Sequence, residues 1–202
     1  MGLNRYIAKQ FSRPNGFGGK IVSAVMNRQN RPMYEETERL LSLSASDHVL
    51  DIGCGNGYVL NMLALRYLCV FTGIDISESA VTTAARRNHK FLKDGIMYLS
   101  CQNAETMSFA NASFDKAYTI NTVYFWNSLE SVMAEIHRVM KPGGLFVNTI
   151  YSNETLDRFS HTQFGYKQFT AEQIKNASEY AGFTVTTTPI IRGAAYCVLC
   201  KK

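Results

Sequence analysis

Hydrophobic and polar positions change rhythm near Asp47. Before it, apolar residues return at helical spacing over about 20–29 and again from Pro32 to Leu43, with Pro32 suited to a first helical turn. After it, short apolar runs alternate with amphipathic stretches. The runs predict strands over 48–53, 69–75, 96–101, 115–120, 144–151, 183–188 and 195–201. The stretch 129–140 puts Leu129, Val132, Met133, Ile136, Val139 and Met140 on one stripe and leaves Glu130, Glu135 and Arg138 outside it, which is a helix with one buried face. Ser77 is placed to cap a helix running to about Asn88. Thr170-Ala-Glu-Gln173 reads as a capping box opening a helix that ends at Gly182. Lys141-Pro-Gly-Gly144 stops the 129–140 helix and turns the chain into the next strand.

Strand–helix alternation of this kind belongs to a parallel sheet covered on both faces. The pattern predicts an α/β fold, a three-layer Rossmann-like sheet of seven strands that is mostly parallel. About six residues separate the last two strands, too few for a parallel crossover, so they form a hairpin with one antiparallel strand. The expected organisation is an N-terminal arm and helical cap over 1–45 and one main domain over 46–202. Residues 1–19, rich in Gly, Asn and Arg, read as a loop or arm.

A chain of 202 residues that is 46% hydrophobic can bury a core without a disulfide or metal. It holds no run of 18 apolar residues that would span a membrane. The N-terminus lacks the basic-then-apolar pattern of a signal peptide, and Tyr6 stands where a myristoylation signal needs Ser or Thr. The five cysteines, Cys54, Cys69, Cys101, Cys197 and Cys200, are odd in number and scattered, as expected of free thiols in a cytoplasmic protein. Cys197 and Cys200 have metal-ligand spacing, but residues three apart on a strand face opposite ways and no nearby His completes a site, so no metal is expected. Charge is uneven. Residues 1–34 hold Arg5, Lys9, Arg13, Lys20, Arg28 and Arg31 and no acid, so the whole net charge of +5 resides there. Such a segment is either a solvated cap or a lid facing an anionic partner: a small molecule, a membrane surface or RNA.

The strongest chemical signal is the segment from Val49 to Gly57, an apolar strand running into a loop with Gly53, Gly55 and Gly57 and then a helix. Ligands of open α/β sheets bind beyond the carboxyl ends of the strands, where glycine lets backbone come close. The dinucleotide fingerprint wants its third glycine one place later, where Tyr58 stands. Asp51, two positions before the first glycine, would repel a pyrophosphate but could hold an ammonium group. Asp75 falls at the end of the second strand, 24 residues after Asp51, where a carboxylate can accept both hydroxyls of a ribose. The ligand that suits both is a nucleoside carrying an amino acid.

Together with Asn121 and Arg138-Val-Met-Lys-Pro-Gly-Gly144, these residues resemble the class I S-adenosylmethionine-dependent methyltransferases over roughly 36–202, and within them the small-molecule branch that includes the ubiquinone and menaquinone C-methyltransferases. The resemblance implies S-adenosyl-L-methionine as cofactor and S-adenosyl-L-homocysteine as product. Gly53, Cys54, Gly55 and Gly57 would wrap the methionine portion with Asp51 near its amino group, and Asp75 with Ile76 would hold the ribose. Asn103 and Ala104 stand where the family commonly has Asp-Ala at the adenine, and an Asn carbonyl accepts the same hydrogen bond without the charge. Asn121 and Thr122 would line the cofactor. Tyr124, Phe125 and Trp126 would wall it from the substrate.

No nucleophile, catalytic dyad or metal cluster stands out, and aligning an activated methyl group with its acceptor can itself supply up to ~7–11 kcal/mol. Where the acceptor must lose a proton, Tyr124, His161 and Tyr166 are the candidate bases, the last two within a stretch the family uses for the substrate pocket. A small-molecule acceptor, anionic where the basic cap faces it, is the leading expectation. RNA or protein methylation and a non-catalytic cofactor-binding domain are the alternatives; Asn121-Thr-Val-Tyr124 is not the Asn-Pro-Pro-Tyr tetrad used on base amines.

Overall fold

The computed structural model describes residues 26–159, 162 and 166–202. Residues 26–29 are helical and Asn30 leads into α1 (Arg31–Leu41), with proline in its first turn. The alternation then runs β1 (His48–Ile52), α2 (Tyr58–Ala64), β2 (Val70–Asp75), α3 (Glu78–Arg87), α4 (His89–Lys93), β3 (Met97–Cys101) and β4 (Phe114–Ile120). It continues through a single 3-10 turn (Val123–Phe125), α5 (Leu129–Val139), β5 (Met140–Tyr151), α6 (Asn153–Asp157), α7 (Ala171–Tyr180), β6 (Thr184–Ile190) and β7 (Ala195–Lys201).

The seven strands form one sheet in the order β3-β2-β1-β4-β5-β7-β6. The first five pair in parallel, and β7 lies antiparallel between β5 and β6. This is the fold the pattern predicts. Each central strand is buried on both faces. In β1, Val49 belongs to the core that includes Leu41 of α1, Leu60 of α2 and Ala84 of α3, whereas Leu50 belongs to the core that includes Val132 and Ile136 of α5 and Ile174 of α7. Cys197 and Cys200 likewise enter opposite cores. Among the described residues, no helix is long and apolar enough to cross a membrane.

The helix starts hold as the sequence implies. Ser77 Oγ accepts the Ala80 N–H at 3.4 Å, and Thr170 and Gln173 close a complete capping box. One boundary differs. β5 begins at Met140 because Met140 already pairs with Phe114; Lys141 to Gly144 then bulge outward before Leu145 resumes the ladder opposite Lys116. Strand order reverses beside β1, which pairs with β2 on one side and β4 on the other. A crevice opens above this point.

The β6–β7 hairpin carries local strain. Ile191 sits at φ 51° and Arg192 at φ 54°, a conformation that crowds a β-branched side chain and costs roughly 1–2 kcal/mol per residue. Asn tolerates it better. Ile191→Asn is therefore expected to stabilise the protein by about 1 kcal/mol, or about 2–4 °C in a domain of this size. A melting curve that moves downward would show that Ile191 makes packing contacts worth more than the strain.

Candidate functional site

The tips of β1, β2 and β4, the loop after β3 and the segment 26–34 enclose a cleft of about 630 Å³, inside the usual range for small-ligand sites. Asp51, Gly53, Cys54 and Gly55 line it, as do Asp75, Ile76, Asn103, Ala104, Asn121, Thr122, Tyr124 and Trp126. The structure thus gathers nearly every site residue expected from sequence. Gly57 stands just behind this surface as the residue that starts α2. His161 lies outside the described residues, as do residues 1–25 of the basic arm.

The glycine loop is held from two sides. Gly53 and Cys54 each donate an N–H to the Ile74 carbonyl, at 2.8 and 2.9 Å. Gly53 (φ 80°) presses against the Thr122 side chain so closely that a Cβ would overlap it. Gly57 (φ 68°) leaves equally little room, because a Cβ there would lie 2.6 Å from Asn88 Nδ2 and 2.8 Å from Ala84 Cβ. Gly53 thus brings main chain, not side chain, to the cleft floor, and Gly57 lets the loop pack against the helix behind it. Asn88, fully buried at the end of α3, donates to the Gly57 carbonyl at 3.0 Å and ties the loop to that helix.

Two carboxylates stand on the floor with different partners. Asp75 accepts the Gly55 N–H on one oxygen (2.9 Å) and the Ser77 N–H on the other (2.8 Å), so it joins the glycine loop to the start of α3. A carboxylate offers about four acceptor positions, so these bonds are compatible with bonds to a ligand's hydroxyls. Asp51 is only 4% exposed and accepts the Tyr118 hydroxyl at 2.8 Å. It makes no ion pair among the described residues. Burial pushes its carboxyl up to about 8; the nearby Asp75 adds to the rise and the Tyr118 hydroxyl opposes it. A buried acid with no cation beside it favours its protonated form, and a positive charge placed next to it would favour the carboxylate. Cys54 shares this environment, and burial raises its thiol well above the ordinary range, so it is no nucleophile.

Ile76 keeps 62% of its surface exposed and presents an apolar face to the cleft. Asn103 folds back to accept the Glu105 N–H at 3.0 Å, and its amide remains on the cleft wall. Trp126 is buried, and its indole N–H has no partner among the described residues.

The two described candidate bases, Tyr124 and Tyr166, are not set to take a proton. The Tyr124 hydroxyl accepts the Tyr151 N–H at 2.8 Å and donates to Asn121 Oδ1 at 3.2 Å, and burial raises its pKa well above the ordinary tyrosine value, so it stays protonated. Tyr166 does not line the cleft; it stacks behind Tyr124 and Phe125 with ring centroids 5.7 and 4.8 Å away. Burial lifts it to about 12. Both tyrosines build the wall.

Sequence reasoning missed Tyr118, Asn88 and the residues that close the cleft from the N-terminal side, Asn27, Asn30 and Tyr34. A tyrosine inside the apolar β4 run needs a partner for its hydroxyl, which is the signal that could have found Tyr118. Lys167, also on the wall, donates to the Asn127 carbonyl at 2.9 Å.

Comparison with known proteins bears on the family and the fold. Residues 50–148 match the family described as "Methyltransferase domain". Over 124 residues the chain is 35% identical to 24-methylenesterol C-methyltransferase 2 of Oryza sativa subsp. japonica, covering 61% of this chain and 34% of that protein. It is 29% identical to "Uncharacterized methyltransferase YdaC" of Bacillus subtilis (strain 168), covering 66% of this chain and 72% of that one. The chain thus spans about a third of the length of the sterol methyltransferase it matches. Geranyl diphosphate C-methyltransferase of Streptomyces coelicolor A3(2), solved with Mg2+, geranyl diphosphate and S-adenosyl-L-homocysteine, shares the fold, with a TM-score of 0.73 at 14% identity over 93% of this chain and 84% of that one.

Proposed function

Because the chain belongs to the class I S-adenosylmethionine-dependent methyltransferases, we propose that it binds S-adenosylmethionine in this cleft and moves its methyl group to a small-molecule acceptor. The observation that carries the reading is the floor itself: a glycine loop of positive φ, with no room for a side chain at Gly53, beside a buried carboxyl that has no cation partner among the described residues. Asp51 would face the ammonium group of the cofactor, Gly53, Cys54 and Gly55 its methionine portion, and Asp75 the ribose. Ile76, Asn103 and Ala104 offer an apolar face and an amide to adenine. The cofactor, when bound, supplies a methyl group already activated on a sulfonium. What the chain contributes is alignment and exclusion of water, with Tyr124, Phe125 and Trp126 as the wall on the acceptor side.

The small-molecule reading rests on the cleft and on relatives named for sterol methylation. Titration of the protein with adenosylhomocysteine and with NADH tests the assignment. Micromolar binding of adenosylhomocysteine and none of NADH is expected. The reverse result would mean that the glycine loop holds a dinucleotide.

A further inference from the structure

Beyond the cofactor, the cleft has a wall whose polarity is fixed by hydrogen bonds. Tyr151 donates to Asn30 Oδ1 at 2.8 Å, Tyr34 to Asn27 Oδ1 at 3.3 Å and Tyr124 to Asn121 Oδ1 at 3.2 Å. Each carbonyl oxygen is therefore taken by a tyrosine hydroxyl, and each amide turns its N–H groups the other way. An amide has two such donors. Asn30 uses one beside Tyr34, Asn121 has only the Met33 sulfur at 3.5 Å, and Asn27 uses neither among the described residues. Asn30 is 7% exposed, and all three asparagines line the cleft. The wall thus holds amide hydrogen-bond donors whose orientation the tyrosines fix.

Two cations stand near it. Lys167 is on the wall, and the Arg87 guanidinium lies 5.4 Å above the Tyr58 ring, which in turn meets Tyr34 at 5.8 Å. Neither makes an ion pair among the described residues. The aromatic residues Tyr124, Phe125 and Trp126 line the same cleft.

We propose that this wall selects a flat acceptor bearing a conjugated oxyanion, an enolate or a phenolate, whose oxygen is held by the amide N–H groups of Asn27 and Asn30. The inference rests on the cofactor reading above. It also fits the two described candidate bases, Tyr124 and Tyr166, whose hydroxyls burial keeps protonated. An acceptor that enters as the anion needs no base: its own electron pair makes the bond to the methyl carbon, the carbon–sulfur pair stays on sulfur, and no proton moves in that step.

The test uses the full chain saturated with adenosylhomocysteine and two probes of one shape, 4-nitrophenolate and neutral nitrobenzene, titrated at a pH where the phenol is ionised. The phenolate is expected to bind about tenfold or more tighter. Asn27→Asp and Asn30→Asp each keep an oxygen for the tyrosine hydroxyl but replace N–H donors with negative charge. Either change should weaken the phenolate about tenfold and leave nitrobenzene and adenosylhomocysteine unchanged. Equal binding of the two probes overturns the proposal, as does indifference of the phenolate to both variants. Loss of adenosylhomocysteine affinity in the variants also overturns it, because the amides would then serve the cofactor's carboxylate. Wild-type protein that binds no adenosylhomocysteine fails the cofactor reading itself, and this inference with it.

Discussion

Replacing Asp75 with alanine is expected to weaken adenosylhomocysteine binding about a hundredfold or more, while Asn103→Ala costs only about fivefold. Asp75 would lose two charge-assisted hydrogen bonds to the ribose at roughly 1.5–3 kcal/mol each, against about 1 kcal/mol for one neutral bond from Asn103. Each 1.4 kcal/mol is about a factor of ten. The structure adds a second reason for the difference. The same carboxylate holds the Gly55 and Ser77 N–H groups, so its loss releases the glycine loop and the start of α3 together. Asn103 anchors only its own turn, through the Glu105 N–H. Asp75→Asn should fall between the two, since its one carbonyl oxygen can keep one backbone partner. Calorimetric titration of variants with wild-type circular dichroism decides the matter. Equal or reversed losses would mean that the nucleoside lies elsewhere in the cleft.

The sheet was legible because its strands are short apolar runs bounded by turn residues, and every run fell within a few residues of an observed strand. The antiparallel β7 followed from loop length alone. The glycine loop and Asp75 were legible for a related reason: a chain that must bring its backbone to a ligand needs glycine at fixed spacing, and that leaves a local signature. What stayed hidden is what folding brings together from afar. Tyr118 reaches Asp51 across 67 residues and Tyr151 reaches Asn30 across 121, and nothing local marks either pair. The segment 26–34 read only as part of a basic cap, although its contribution to the cleft comes from amides and a tyrosine. Tyr166 read as a substrate residue because of its position in the chain, yet it packs behind the wall as a second layer.

Binding of adenosylhomocysteine should release about one proton and tighten about tenfold per pH unit between roughly pH 6 and 7.5, and Asp51 is the reason. In the free protein its carboxyl is raised to about 8, mainly by burial, so near neutral pH it is mostly protonated. A ligand ammonium beside it favours the carboxylate, and the proton leaves on binding. The gain ends near pH 8, where Asp51 is ionised before the ligand arrives. Stability of the free protein should move the opposite way. A carboxyl whose folded value lies above its unfolded one stabilises fully below the unfolded value, about 4, and that contribution is lost as pH rises through about 8. Asp51→Asn keeps an oxygen for the Tyr118 hydroxyl and carries no titrating proton, so the fold should persist with a flatter pH dependence. Its affinity for adenosylhomocysteine should fall about ten- to a hundredfold at pH 8, because one charge-assisted contact of roughly 1.5–3 kcal/mol is gone. Titration in two buffers of different ionisation heat counts the proton directly. A variant that still releases it, or that keeps the wild-type slope of affinity with pH, would remove Asp51 from the ammonium site.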